Sequence, residues 1–174
     1  GALQKKMKVI GIIGWKDTGK TTLIEKLINE FNNRNFSVST IKHSHHRISV
    51  DKEGTDTFRH FNAGARETIL ATKKKWIKFS RELGKHGSSL NYIIKQIIPV
   101  DLVIVEGFKM EDHKKIEVVN GMSDKQPLFE TDKTICGLIF NKYKIQNTNL
   151  PQFERDDIHE ICNFIEKLSE FNEK

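Results

Sequence analysis

The spacing of apolar residues changes several times along this chain, and each change marks a new element. Val9-Ile10-Gly11-Ile12-Ile13 is a short uninterrupted apolar run, the pattern of a buried strand. Ten residues further on the pattern changes: Leu23, Ile24, Leu27, Ile28 and Phe31 lie on one face of a helix. A polar break at residues 32–35 leads into a second strand at 36–41. The next stretch, 42–57, is polar and rich in titratable groups, with little periodicity, as expected of a long functional loop. From Asp56, the residues Phe58, Phe61 and Ala65 predict a short helix that ends near Gly64. Residues 67–71 and 76–79 predict two short strands joined across Lys73-Lys74-Lys75.

Beyond a turn at 84–89, Leu90, Ile93, Ile94, Ile97 and Ile98 define another helix, with Ser88 or Ser89 as N-cap and Pro99 closing it. Residues 102–105 are all apolar, the signature of a central parallel strand covered on both faces. Strands follow at 115–119 and 135–140, with a turn at Asn120-Gly121 and a loop around Asn149-Leu150-Pro151. A last helix is predicted over 156–171, its apolar face formed by positions 158, 161, 162, 165, 168 and 171 and its start marked by Asp156 and Asp157. Strands alternating with helices predict an α/β domain, a three-layer sandwich with a mainly parallel sheet plus a short antiparallel strand pair. At 174 residues, and with no repeat or low-complexity tract, residues 1–174 read as a single domain. Residues 1–6 read as a flexible or appended N-terminus, and Met7 as the natural start.

The chemistry is concentrated between the first strand and the first helix. Gly14-Trp15-Lys16-Asp17-Thr18-Gly19-Lys20-Thr21-Thr22 contains G-x-x-x-x-G-K-T. Strand, glycine loop and helix in that order are the parts of a phosphate-binding loop, so the expected sandwich is of the P-loop NTPase type. The glycines allow successive amides to turn inward on phosphate oxygens, and the helix start adds its dipole and its unpaired N–H groups. Lys20 is assigned to the β- and γ-phosphates and the Thr21 hydroxyl to Mg²⁺. Glu106 stands at the carboxyl end of the central strand, the end where open α/β sheets bind ligands, and is the second candidate for Mg²⁺ or its water shell. Asp101 lies roughly 16 Å away at the other end and is expected to cap a turn.

The polar loop adds further candidates. Asp51 and Asp56 are candidate catalytic carboxylates that approach Mg²⁺ or a water if the loop folds over the nucleotide. Lys42, His45, His46 and Arg59 can hold an anionic second ligand. His43, His45 and His46 also allow a metal reading, although adjacent histidines suit a flexible loop more than a preformed tetrahedral site. Asn141-Lys142-Tyr143-Lys144 begins like the guanine-reading N-K-x-D but places Lys144 where the acid belongs. No glutamine marks a switch position, and Arg59 and Arg66 are the arginines available for charge stabilisation, so slow turnover is expected.

Composition narrows the classes. The net charge of +6 suits polyanionic ligands. The lysine run lacks the aromatic platform or helix-turn-helix pattern of a nucleic-acid reader, so no nucleic-acid partner is expected. No apolar run reaches the length of a membrane span, and the two cysteines, Cys136 and Cys162, read as core thiols of a cytoplasmic protein.

The ordered set of motifs resembles one family. The P-loop, Lys42-His43-Ser44-His45-His46, the segment from Asp51 to Gly64-Ala65, and Val105-Glu106-Gly107-Phe108-Lys109 followed by Lys115-Ile116-Glu117-Val118 are similar to those of the molybdopterin-guanine dinucleotide biosynthesis protein B family, MobB. The likeness runs from about Met7 to Val119. The sequence departs where the family often has Gly-Lys-Asp-Ser, having Gly54-Thr55-Asp56-Thr57, and Trp15 occupies the place of the second signature lysine of related ATPases. The resemblance implies a homodimeric GTP·Mg²⁺-binding adaptor with weak GTPase activity. It would assist the nucleotidyltransferase that joins GMP to molybdopterin, with molybdoenzymes as further partners. His45, His46 and Arg59 would contact molybdopterin or its guanine dinucleotide. Two other classes stay open on the residues: a metallochaperone GTPase for nickel, using the histidines, and a small-molecule kinase, using Asp51 or Asp56 as base.

Overall fold

The computed structural model describes residues 6–45, 56–81, 89–121 and 124–171. The chain divides into two compact units, residues 1–43 with 96–174, and residues 44–95.

The first unit is built on a six-stranded sheet of order β2-β5-β1-β6-β7-β8. Its strands are β1 (Lys8–Ile13), β2 (Val38–Lys42), β5 (Leu102–Glu106), β6 (Lys115–Val119), β7 (Ile135–Phe140) and β8 (Gln152–Glu154). Every pairing is parallel. Parallel strands need crossovers that cover the sheet, and β1 and β5 are accordingly apolar from Val9 to Ile13 and from Leu102 to Val105. On one face α1 (Lys20–Asn33) and α4 (Ile158–Glu166) pack on the sheet, burying Leu23, Leu27 and Phe31 with Ile161 and Ile165 against Ile10, Ile12, Ile104 and Ile116. Each such side chain contributes about 1.5–3 kcal/mol of burial. On the opposite face, Ile13, Val119, Ile135 and Leu138 pack under Leu128, Phe129, Ile145 and Leu150. Arg34, just past α1, ties the two helices together by donating to Glu30, Asn163 and Glu166.

The second unit contains α2 (Asp56–Asn62), an antiparallel pair β3 (Glu67–Ala71) and β4 (Trp76–Ser80), and α3 (Leu90–Lys95). The short antiparallel pair expected from the sequence is β3–β4. Gly64, which ends the α2 segment, has φ 112°.

The second strand is Val38–Lys42, shifted from the expected 36–41, and two helices end earlier than the sequence predicts. The last helix stops at Glu166, because Lys167 and Leu168 bond back three residues in a tightened final turn, and the Phe171 amide then donates to Met7. Its N-cap is Asp157, which accepts from the Glu160 amide. α3 ends before Ile97, and Ile98 is 76% exposed, consistent with the bias of a residue preceding proline away from helix. Ser89 begins α3, its hydroxyl accepting from the Tyr92 amide; Ser88 lies outside the described residues. β8 and a single 3-10 turn at Leu128–Glu130 have no counterpart in the sequence reading. Among the described residues no helix is long and apolar enough to cross a membrane.

Candidate functional site

The parallel register determines which residues meet at the carboxyl edge of the sheet. Ile12 of β1 pairs with Glu106 of β5, and Glu106 pairs with Lys42 of β2. Two residues beyond Ile12 the chain enters the loop 14–19, which places the Glu106 carboxylate beside that loop. Lys42 Nζ lies 3.7 Å from Glu106 Oε2. Asp101, at the opposite edge, accepts from both the amide and the hydroxyl of Ser37, at 2.8 and 2.9 Å, and so ties down the turn before β2.

Within the loop, Lys20 folds back over the backbone. Its ammonium donates to the carbonyls of Gly14 at 3.0 Å and Trp15 at 2.9 Å, and lies 3.4 Å from the Thr18 hydroxyl. Burial lowers its pKa; Glu106 opposes that shift, and Lys109 adds to it. Gly19 is the N-cap of α1 with φ 76°, a left-handed conformation that favours glycine. It brings no capping side chain, and the first turn of α1 contains no acidic residue. The first amides of the helix therefore retain their donors for an anion. Thr21 and Thr22 follow on the first turn, both exposed. Lys16 and Asp17 are exposed at the tip, with Asp17 at φ 65°.

Trp15 is fixed from outside the loop. Its indole N–H donates to the Gln126 carbonyl at 3.0 Å, and the ammonium groups of Lys109 and Lys125 lie 5.0 and 4.7 Å from its ring. The segment carrying Gln126 is held in turn by Glu117 on β6, whose carboxylate accepts from the Leu128 and Phe129 amides at 2.8 Å each. Burial raises the Glu117 pKa, and these two amides hold it back. An acid inside the apolar run 115–119 was a legible signal for such a buried anchor.

The E-G-F corner after β5 is shaped by contact with His43. Gly107 has φ 90°, and a Cβ there would lie 3.1 Å from the His43 Cβ. The His43 ring stacks on Phe108 at 4.5 Å, and its amide donates to the Glu106 carbonyl at 2.9 Å.

Two cavities open at the carboxyl ends of β6 and β7. One, of about 110 Å³, is lined by Asp17, Thr18, Asn120, Asn141 and Arg155 among others. The other, of about 630 Å³, is lined by Asn120, Gly121 and the stretch 141–146, which includes the partial N-K-x-D motif. Arg155 enters the site without any sequence cue: it follows a three-residue strand and belongs to no motif, yet its guanidinium donates to Thr18 and Gly19 of the phosphate loop.

The residues Gly14 through Thr22 and Glu106 are thus gathered in the first unit. Of the other candidates, Asp56 and Arg59 stand exposed on α2, and His45 also belongs to the second unit. His46 and Asp51 lie outside the described residues. Among the described residues no group of three or more His, Cys, Asp and Glu side chains forms a metal-holding cluster.

A parallel sheet whose central strand runs into a glycine loop and helix, with a carboxylate closing the neighbouring strand, defines a P-loop nucleotide-binding protein of α/β class. The family model described as Molybdopterin guanine dinucleotide synthesis protein B matches residues 9–141, and the chain belongs to that family, MobB. A relative from Haemophilus influenzae, named a molybdopterin-guanine dinucleotide biosynthesis adapter protein, is 38% identical over 94% of this chain and 90% of its own length. The protein of the same name from Escherichia coli is 33% identical, covering 68% of this chain and 69% of its own length. A crystal structure of molybdopterin-guanine biosynthesis protein B has a TM-score of 0.74 at 24% identity, spanning 92% of this chain and 99% of that one. Bacillus subtilis MobB has 0.71 at 22%, with 94% and 99% covered. Both structures share this fold.

Proposed function

We propose that this chain is a GTP·Mg²⁺-binding adaptor in the biosynthesis of the molybdenum cofactor, working with a nucleotidyltransferase that joins GMP to molybdopterin. The observation that carries the nucleotide half is the loop itself: an uncapped α1 start, a left-handed Gly19, and Lys20 poised on loop carbonyls that it can leave for phosphate oxygens. Family membership and the adapter names of the relatives support the pathway half. On this reading the transfer chemistry belongs to the partner, and this chain supplies a bound nucleotide and a docking surface.

The donor set fits a hard divalent ion. Thr21 and Glu106 would hold Mg²⁺, and among the described residues a 3.7 Å ion pair with Lys42 is what competes for the Glu106 oxygens. Mg²⁺ would supply charge neutralisation on the β- and γ-phosphates. The base is assigned to the larger cavity, where backbone groups and Asn141 replace the missing acid of N-K-x-D. Slow hydrolysis is the expectation, because among the described residues the Arg155 guanidinium is engaged with loop carbonyls and the Gln126 side chain with Glu130, so neither is directed at a water or the transferred phosphate. His45, His46 and Arg59 are assigned to the pterin ligand, and Asp51 and Asp56 to the loop that closes on the nucleotide. We place the protein in the cytoplasm as a homodimer, with molybdoenzymes as further partners. The exposed apolar side chains of β3–β4, Ile69 at 59%, Trp76 at 61% and Ile77 at 47%, suit burial against a second copy.

Calorimetric titration with GTP and ATP, each with Mg²⁺, tests the reading. Preference for GTP, lost in Lys20→Ala, is the expected result. Preference for ATP, with rapid acceptor-dependent loss of the γ-phosphate, would replace it with a kinase.

A further inference from the structure

Arg155 bonds to the backbone of the loop from the side away from its amides. Nη1 donates to the Thr18 carbonyl at 2.6 Å, and Nη2 donates to the Gly19 carbonyl. A peptide unit is planar and trans, so its C=O and N–H point in opposite directions. The Thr18 carbonyl shares its plane with the Gly19 amide, and the Gly19 carbonyl shares its plane with the Lys20 amide. Holding these two oxygens toward Arg155 therefore turns the Gly19 and Lys20 N–H groups the other way. A Cβ at position 19 would lie 2.4 Å from Arg155 Nη2, so a side chain there would displace the guanidinium.

The charge arrangement supports a ligand-directed role. The guanidinium lies against the start of α1, where the helix dipole is already positive and where a cation is unfavourable. No carboxylate among the described residues forms an ion pair with it. Among the described residues these two backbone carbonyls are the guanidinium's only hydrogen-bond partners, an unfavourable placement that a bound anion would offset. Arg155 also forms part of the wall of the smaller cavity, next to Asp17, Asn120 and Asn141, where the phosphate loop meets the ends of β6 and β7.

We propose that Arg155 is a positioning residue of the phosphate site: its two-pronged grip on the Thr18 and Gly19 carbonyls orients the Gly19 and Lys20 amides toward the phosphates of a nucleoside triphosphate. This rests on the nucleotide reading of the loop. Lysine retains the charge but cannot reproduce the planar fork, so the two contributions separate by substitution.

The test is titration of the full chain with Mg²⁺·GTP and with Mg²⁺·tripolyphosphate, for wild type, Arg155→Gln, Arg155→Lys and Lys20→Ala, alongside the unliganded unfolding temperature of each. Loss of charge-assisted hydrogen bonds corresponds to a weakening of roughly 10- to 100-fold. We expect Arg155→Gln to weaken both ligands by that range and equally, because amide direction acts on phosphate whether or not a nucleoside is attached. Arg155→Lys, which keeps the charge and is the variant to read if the glutamine protein does not fold, should also stay well below wild-type affinity. Wild-type affinity for both ligands in Arg155→Gln, with only a lowered unfolding temperature, would reduce Arg155 to a structural brace and overturn the proposal. Full rescue by lysine would overturn the orienting role, and loss confined to GTP would move the residue to the nucleoside. If Lys20→Ala binds as wild type does, or wild type binds neither ligand, the nucleotide reading fails and takes this assignment with it.

Discussion

His113 couples the core beneath the phosphate loop to pH. It precedes β6 and lies over Gly11 of β1, so closely that a Cβ on Gly11 would be 2.6 Å from its Nε2. The residue is 4% exposed, and among the described residues neither ring nitrogen has a hydrogen-bond partner. Burial lowers its pKa from 6.5 to about 4, with Lys115 adding to the shift and Asp132 and Asp112 opposing it. The unfolded chain binds a proton near 6.5 and the folded one only near 4. Stability is therefore fully present above pH 6.5 and is lost progressively as pH falls toward 4. A displacement of that size, at about 1.4 kcal/mol per tenfold change in proton affinity, corresponds to about 3 kcal/mol. Urea unfolding of wild type and His113→Leu between pH 4 and 7.5 measures it, because ionisations common to both proteins cancel in the difference. The variant should gain on wild type steadily below pH 6.5, reaching about 3 kcal/mol near pH 4. Curves that stay parallel through this window would show that the imidazole accepts its proton in place, and the reasoning from burial would be wrong.

Three further outcomes follow from contacts elsewhere in the first unit. Glu106→Gln should weaken GTP binding by about 10- to 100-fold in Mg²⁺ while leaving binding in excess chelator unchanged, read by titration under both conditions. Gly107→Ala forces a Cβ onto a left-handed backbone beside His43 and should lower stability by about 1–2 kcal/mol in denaturant unfolding, more if His43 cannot yield. Arg34→Met keeps most of the aliphatic stem but loses the bonds to Glu30, Asn163 and Glu166; a loss of about 1–3 kcal/mol is expected, and an unchanged unfolding midpoint would show that these bonds exchange evenly with water.

Local pattern alone determined a good deal of this molecule. The run 9–13, the glycine loop and the 3.6-residue spacing of Leu23, Leu27 and Phe31 define β1, the loop and α1, because each of these signals acts within a few residues of chain. The all-apolar 102–105 marked β5 as central for the same reason, and the order of motifs pointed to the family. What the sequence could not reveal are the contacts made across the sheet. Arg155 reaches Thr18 and Gly19 from more than a hundred residues away, and it does so through a strand too short to leave a periodic trace. Glu117 anchors the Leu128–Glu130 turn, and that segment in turn holds Trp15, a chain of hydrogen bonds with no spacing rule. The burial of His113 depends on Gly11 lacking a side chain one strand away. Strand order and register decide all three, and these arise from packing of the whole sheet, so only the tertiary structure could place them.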